Sequence, residues 1–159
     1  MTSRMLLAVA SLVNALVACY LHLWKLGLVG SLACTSSGGC EYVQGSRYGW
    51  FFGVDVALIG AVGWAVVFLV GFVGTLPRWA DDARVTRVLA ALVAGAALFT
   101  LRLKYGEFVV LRSFCPWCAV NAIVVVLSVV LVWRDWARLR AEQAADDYAL
   151  TPDARSTTA

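Results

Sequence analysis

The sequence predicts an all-α integral membrane protein, a bundle of four transmembrane helices with an outward-facing loop that carries a cysteine pair. Hydrophobic residues make up 62% of the 159 residues, and the mean hydropathy is +0.80. A soluble domain of this size could not cover so much apolar surface. Apolar windows of about 20 residues, the length that spans about 30 Å of hydrocarbon, occur four times. The net charge of +3 is small and scattered, which argues against nucleic-acid binding.

The four predicted spans are residues 5–28, 54–76, 85–103 and 114–133. The third is the weakest because its apolar core is short, so Arg87 and Arg102 must extend toward the two membrane interfaces. Its many alanines suit close packing against neighbouring helices. Residues 1–133 therefore form one membrane domain, and residues 134–159 a polar cytoplasmic tail that prolongs the last helix briefly and is otherwise disordered. The segment "LVAC" before Tyr20 resembles a lipoprotein signal, but the apolar run continues beyond it.

The distribution of basic residues predicts the orientation. Seven basic residues fall on one side and five on the other, which favours a multi-pass protein of the cell membrane (inner or plasma membrane) with both termini in the cytoplasm. Residues 29–53 and the beginning of the fourth span then face outward. The seven predicted cytoplasmic residues are Arg4, Arg78, Arg84, Arg87, Arg134, Arg138 and Arg140.

Four of the five cysteines fall on the predicted outward side, where an oxidising environment favours disulfides and redox chemistry. The exception, Cys19, lies within the first span as a small hydrophobic residue. Cys34 and Cys40 flank "TSSGG", a flexible loop that allows a disulfide and leaves it exposed. An exposed bond suits thiol exchange, although a structural disulfide explains this pair alone equally well.

The second pair, in "CPWC", begins the fourth span. Pro116 is favoured in the first turn of a helix, so Cys115 lies near the N-cap and Cys118 one turn further on. Unpaired N–H groups and the helix dipole lower the pKa of a thiol there, which generates a nucleophile. A zinc site is disfavoured by the cysteine spacing, and haem attachment requires a histidine where Ala119 stands.

Electrons collected by these thiols would reach the lipid boundary, where a membrane quinone is a suitable two-electron acceptor. Aromatic residues near this boundary serve commonly as interfacial anchors, and some would wall a quinone ring. They are Tyr48, Trp50, Phe51, Phe52, Phe114 and Trp117.

The order of a loop cysteine pair, "VQGSRYGWFFGVDVALIG" and a membrane-embedded "CPWC" resembles the vitamin K epoxide reductase family in its bacterial form. The resemblance covers residues 5–133. It implies a four-helix bundle around a quinone. We expect menaquinone or ubiquinone as the electron acceptor and, from the cysteine spacing, no metal. The matching positions are Cys34, Cys40, Ser46, Tyr48, Gly53, Gly60, Cys115 and Cys118.

The resemblance also implies roles for the site residues. Cys34 exchanges with a partner protein, Cys40 transfers the bond to Cys115, and Cys118 faces the quinone. The residues that we expect to contact the quinone are Ser46, Tyr48, Phe114 and Trp117.

Two positions depart from the family pattern. Asp55 stands where bacterial relatives often have proline, either as a helix cap, which we favour, or as a proton carrier. Ala122 replaces a tyrosine of the vertebrate enzymes, which argues against vitamin K epoxide as a substrate.

The sequence therefore predicts a membrane thiol oxidase that reduces a quinone with electrons from a thioredoxin-fold, DsbA-like protein. Because no thioredoxin-like domain follows the fourth span, we expect this partner to be a separate chain. The alternatives are a quinone or vitamin K epoxide reductase that uses the same thiols, the DsbB class, in which the order of the two cysteine pairs is reversed, and a membrane scaffold with two structural disulfides.

Overall fold

The computed structural model describes residues 2–32, 34 and 39–150 of the chain, which are almost entirely helical. A 3₁₀ turn (Arg47–Gly49) and a two-stranded hairpin, β1 (Trp50–Phe51) and β2 (Val54–Asp55), precede the second long helix. A π-helical turn, Gly106–Val110, follows the third. The helices are α1 (Thr2–Lys25), α2 (Gly39–Gly45), α3 (Val56–Val73), α4 (Ala83–Tyr105) and α5 (Pro116–Leu150).

Four helices of the described chain are long and apolar enough to cross a membrane, which confirms the predicted fold class. Their inward faces form one apolar core, whereas large apolar side chains such as Leu98 and Val126 remain exposed on the outside. An apolar exterior is what a hydrocarbon solvent requires of a helix bundle. The core residues include Leu7, Trp64, Val67, Leu89, Val93 and Val125.

The last helix runs further than the brief extension expected from the sequence. It remains helical to Leu150, and residues 151–159 of the predicted tail lie outside the described residues. The reason is an inward-facing stripe that persists beyond the apolar run: Val132, Asp135 and Leu139 recur at helical spacing and are all buried. Burial of this stripe against the other helices stabilises the polar part of α5.

A buried ion pair joins the helices at the end of the bundle away from Cys115. Arg4 is 1% exposed, and its Nε donates to Asp135 Oδ2 at 2.8 Å. Its guanidinium also donates to Thr86 Oγ1 at 2.8 Å and to the Trp79 carbonyl oxygen at 2.8 Å. In the sequence, Arg4 serves only to predict the orientation. In the structure, it is the centre of a hydrogen-bond network that joins α1, α4, α5 and the α3–α4 loop.

The other end of the bundle, here called the cysteine end, is covered by α2 and the hairpin. The hairpin turns at Phe52 and Gly53, whose φ angles are 50° and 81°. A turn of this kind needs positive φ, which glycine adopts without strain. The strands pair Trp50 with Asp55 and lead directly into α3, so this connection is short and fixed over the bundle.

Candidate functional site

The two cysteine pairs pack in one apolar cluster at the cysteine end. Cys34 and Cys40 form a disulfide with a Cα–Cα distance of 6.4 Å, and Cys115 and Cys118 are free thiols. Cys40 and Cys115 are each 0% exposed and belong to the same buried cluster, against which Cys34 and Cys118 pack. The catalytic role of these four residues stays a prediction, and a relay between the pairs requires such an arrangement.

The loop disulfide is less exposed than its glycine-rich surroundings predict. Gly39–Gly45 forms the short helix α2, which directs Cys40, Val43 and Gln44 into the protein. Cys34 remains partly buried. The sequence-based expectation of an exposed bond is therefore wrong for Cys40, because three- and four-residue spacing places its inward neighbours on the same face of a helix.

The CxxC pair begins α5 as predicted, with Pro116 as its first residue. The Cys118 backbone N–H donates to Cys115 Sγ at 3.3 Å. A hydrogen bond from the Cys118 thiol is the largest effect on Cys115 and lowers its pKa. Burial raises the pKa and the backbone bond lowers it, so that the pKa of Cys115 falls to about 7. The thiolate at the start of the helix is thus favoured mainly by its partner thiol.

A cavity of about 350 Å³ lies beside Cys118. It is enclosed by α1, α3, α4 and the first turns of α5, and most of its wall is apolar. Gln44 reaches the cavity from α2, and its Nε2 lies 3.6 Å from Cys118 Sγ, in position to donate. The polar residues of the wall are Asn14, Gln44, Thr100, Lys104 and Asn121.

A hydrogen-bonded network forms part of the cavity wall one helical turn beyond Cys118. Asn121 Oδ1 accepts from Asn14 Nδ2 at 2.7 Å and from Trp64 Nε1 at 3.1 Å, and Asn121 Nδ2 donates to Thr100 Oγ1 at 3.1 Å. Asn14 and Asn121 are not among the site residues predicted from the sequence, and the structure places both in the cavity wall. The signal was available in the spacing, since Asn121 follows Cys118 by three residues on one helix.

Of the four residues predicted to contact a quinone, Trp117 lies in the cavity wall. Ser46 caps the 3₁₀ turn by accepting from the Tyr48 backbone N–H at 3.2 Å. The Tyr48 ring lies directly against Gly106, where a Cβ atom would overlap it. Phe114 is half-exposed and packs near Phe108. These three lie outside the cavity wall, and their contact with a quinone stays a prediction.

Asp55 joins α1 to the beginning of α3. It is 5% exposed, and its carboxylate accepts from the Ala57 backbone N–H at 3.0 Å, as the preferred capping role predicts. It also contacts Lys25 Nζ at 2.5 Å and His22 Nδ1 at 2.7 Å. Burial would raise the pKa of Asp55, but the bonds from Lys25, His22 and Ala57 together lower it below the ordinary 3.8. The same carboxylate is therefore the partner of His22, the one histidine of the chain.

We expect Asp55→Asn to remove a pH-dependent part of the stability. Because folding lowers the pKa of Asp55 below 3.8, its stabilisation is present above that value and is lost as the pH falls through the folded-state pKa. The variant keeps an acceptor for the Ala57 N–H but leaves Lys25 without its counter-ion. Its free energy of unfolding should therefore be about 1–3 kcal/mol lower than that of the wild type near neutral pH. Thermal unfolding in detergent between about pH 7 and pH 3 measures this.

The difference in stability between wild type and Asp55→Asn should shrink toward the acidic end of that range. Asp81→Asn is the control, since its carboxylate is 76% exposed. A difference that stayed constant with pH would contradict the role of the Asp55 charge.

Comparison with known protein families supports an assignment of the membrane domain. The family model described as "Vitamin K epoxide reductase family" matches residues 5–133, which include both cysteine pairs and the residues that line the cavity.

Proposed function

Because this chain belongs to the vitamin K epoxide reductase family, whose members are quinone-linked thiol oxidoreductases, we propose that it oxidises a DsbA-like partner and reduces a membrane quinone. The reaction would support disulfide formation on the outward side of the cell membrane. One observation carries the proposal: Cys40 of the loop pair and Cys115 of the CxxC pair are both fully buried in the same apolar cluster.

The relay consists of successive thiol–disulfide exchanges. A thiolate of the partner attacks Cys34, which breaks the Cys34–Cys40 bond and releases Cys40 as a thiolate. Cys40 then attacks Cys115 in its oxidised state, breaking the Cys115–Cys118 bond and releasing Cys118 as a thiolate. The second thiol of the partner then displaces Cys34, and Cys34 attacks Cys40, which breaks the Cys40–Cys115 bond, releases Cys115 as a thiolate, re-forms the Cys34–Cys40 disulfide and leaves the partner oxidised. Both of its electrons are then held by the Cys115/Cys118 dithiol.

The cavity fits a quinone as the substrate that accepts these electrons. Its wall is mostly apolar, Cys118 reaches it, and polar groups are confined to a few positions. Such a combination is typical of small-molecule sites, in which apolar contact supplies affinity and a few polar groups fix the orientation. A quinone takes two electrons and two protons to become a quinol, which matches the oxidation of one dithiol. Menaquinone and ubiquinone both meet this description.

We expect Cys40→Ala to trap the partner. In this variant Cys34 is a free thiol that attacks the disulfide of an oxidised partner molecule and releases one partner thiol. Because Cys40 is absent and cannot displace the partner from Cys34, the mixed disulfide should accumulate. Non-reducing electrophoresis of membranes, followed by mass spectrometry of the covalent product, measures it. Cys19→Ala in the same cells is the matched control, because Cys19 is a free thiol outside the cluster.

The identity and location of the trapped protein decide between the candidate functions. A thioredoxin-fold protein from the outward side, together with labelling of Cys34 by a membrane-impermeant thiol reagent, supports the proposed oxidase and its orientation. If Cys40→Ala yielded no covalent product, the scaffold with structural disulfides would be favoured instead.

A further inference from the structure

A buried carboxylate holds the beginning of the CxxC helix. Glu107 is 1% exposed and lies in the π-helical turn Gly106–Val110 that follows α4. Its Oε1 accepts from the Cys115 backbone N–H at 2.6 Å, and its Oε2 accepts from Lys104 Nζ at 2.6 Å. Burial of a carboxylate is costly unless its oxygens are hydrogen-bonded. Glu107 meets this condition with one bond to the redox motif and one to a cation.

Lys104 connects the same carboxylate to the cavity. It lies one helical turn before Glu107 and belongs to the cavity wall together with Cys118. Its side chain is 18% exposed. An ammonium group in an apolar wall needs a counter-ion, and Glu107 supplies it. One ion pair, with Glu107 buried and Lys104 partly buried, therefore links the backbone of the CxxC motif to the positive charge at the cavity.

Building on the proposed function, we propose that Glu107 is a positioning residue that holds the CxxC turn and Lys104, and that Lys104 is the cation facing the quinone. The pair lies outside the residues that the sequence predicts for this site. It would serve the reduction step and not the exchange with the partner.

In the proposed reduction, Lys104 has no net gain or loss of electrons or protons. The Cys115/Cys118 dithiol loses two electrons and two protons when its disulfide forms, and the quinone gains both. Because the protons and electrons need not move together, negative charge develops on a quinone oxygen inside an apolar cavity. A cation that is already fixed beside that oxygen stabilises the charge without reorganisation.

The pair also acts on Cys115 with opposite signs. The negative charge of Glu107 raises the pKa of Cys115, whereas the positive charge of Lys104 lowers it. The other elements packed around Cys115 contribute Cys118 from α5, Tyr20 from α1 and the uncharged Cys34–Cys40 disulfide. Removing one charge of the pair should therefore change the redox equilibrium of the CxxC in one direction, and removing the other should change it in the opposite direction.

The first test needs no quinone. Full-length protein is equilibrated with a glutathione redox buffer at about pH 8, above the pKa of Cys115. The fractions of dithiol and disulfide are then read by acid quench, alkylation and mass spectrometry. A stabilised thiolate makes a couple more oxidising. Glu107→Gln should shift the equilibrium constant about tenfold toward the dithiol, and Lys104→Met should shift it toward the disulfide. Shifts of the same sign, or none, would overturn the proposal.

The second test measures quinone reduction with dithiothreitol as the thiol donor and a short-chain ubiquinone analogue as the acceptor. Lys104→Met should lower kcat at least about tenfold, and Lys104→Arg, which keeps the charge, should restore most of it. Glu142→Gln is the matched control for Glu107→Gln, since Glu142 is 50% exposed near the far end of α5. Unchanged kcat in folded Lys104→Met would refute the role of Lys104. If the wild type reduced no quinone, the proposed function would fail, and the glutathione equilibrium would still decide on the ion pair.

Discussion

Cys118→Ala should lower the rate of quinone reduction at least about a thousandfold, since the variant lacks the only thiol that the described residues place in the cavity wall. The loop pair can still exchange with a reduced partner, and Cys40 can still approach Cys115, but no thiolate then faces the acceptor. The loss of quinone absorbance, with purified protein and a reduced thioredoxin-fold donor, measures the rate. The variant should still oxidise one equivalent of the partner with its Cys34–Cys40 disulfide, which would show that the protein is folded.

Cys19→Ala is the matched control for this experiment. Cys19 is a free, exposed cysteine on α1, so its replacement should leave the rate unchanged. Quinone reduction at the normal rate by Cys118→Ala would mean that electrons leave the protein at another residue, and the assigned relay would be wrong.

The largest effect on stability is expected from Asp135→Ala. Its carboxylate is 4% exposed and accepts from Arg4 Nε at 2.8 Å and from Thr86 Oγ1 at 2.6 Å. Removing one partner of a buried ion pair leaves the other charge uncompensated, which costs about 3–5 kcal/mol. The midpoint of unfolding in detergent measures the loss, and quinone reduction by the protein that remains folded should be unaffected because this network lies at the far end of the bundle.

The double variant Arg4→Met/Asp135→Ala separates the charge from the packing. It removes both members of the pair, so it should be more stable than Asp135→Ala alone. Asp81→Ala supplies the exposed control, since its carboxylate is 76% exposed. Equal stability of Asp135→Ala and Asp81→Ala would show that the buried pair contributes nothing.

The four spans could be predicted from the sequence because a membrane helix is specified locally. Its length and apolar content appear within one window of about 20 residues, whatever it packs against. The C-terminal end of α5 could not be predicted with the same accuracy. Its continuation beyond Trp133 depends on three residues, Val132, Asp135 and Leu139, that are buried only because other helices lie beside them.

The candidate site was predictable in its thiols but not in its supporting groups. Cysteines in paired spacings signal their chemistry directly. Charged residues do not signal a partner: Arg4 and Asp135 are 131 positions apart, and His22 and Asp55 are 33 apart. Glu107 precedes its partner Cys115 by only eight positions. However, the π-helical turn that directs the Glu107 side chain toward Cys115 has no clear sequence signature. The placement of Ser46 and Tyr48 outside the cavity wall likewise follows from how the hairpin and 3₁₀ turn fold over the bundle.

The complete burial of Cys40 and Cys115 has a consequence for side reactions. Peroxide in the surroundings oxidises sulfur atoms that it can contact, and the sulfur atoms of Cys40 and Cys115 are shielded from such direct contact. In the proposed relay, electrons would enter at Cys34 and leave toward the cavity at Cys118. Shielding of the two intermediate sulfur atoms would then prevent electrons from the partner from being lost to oxidants dissolved outside the membrane.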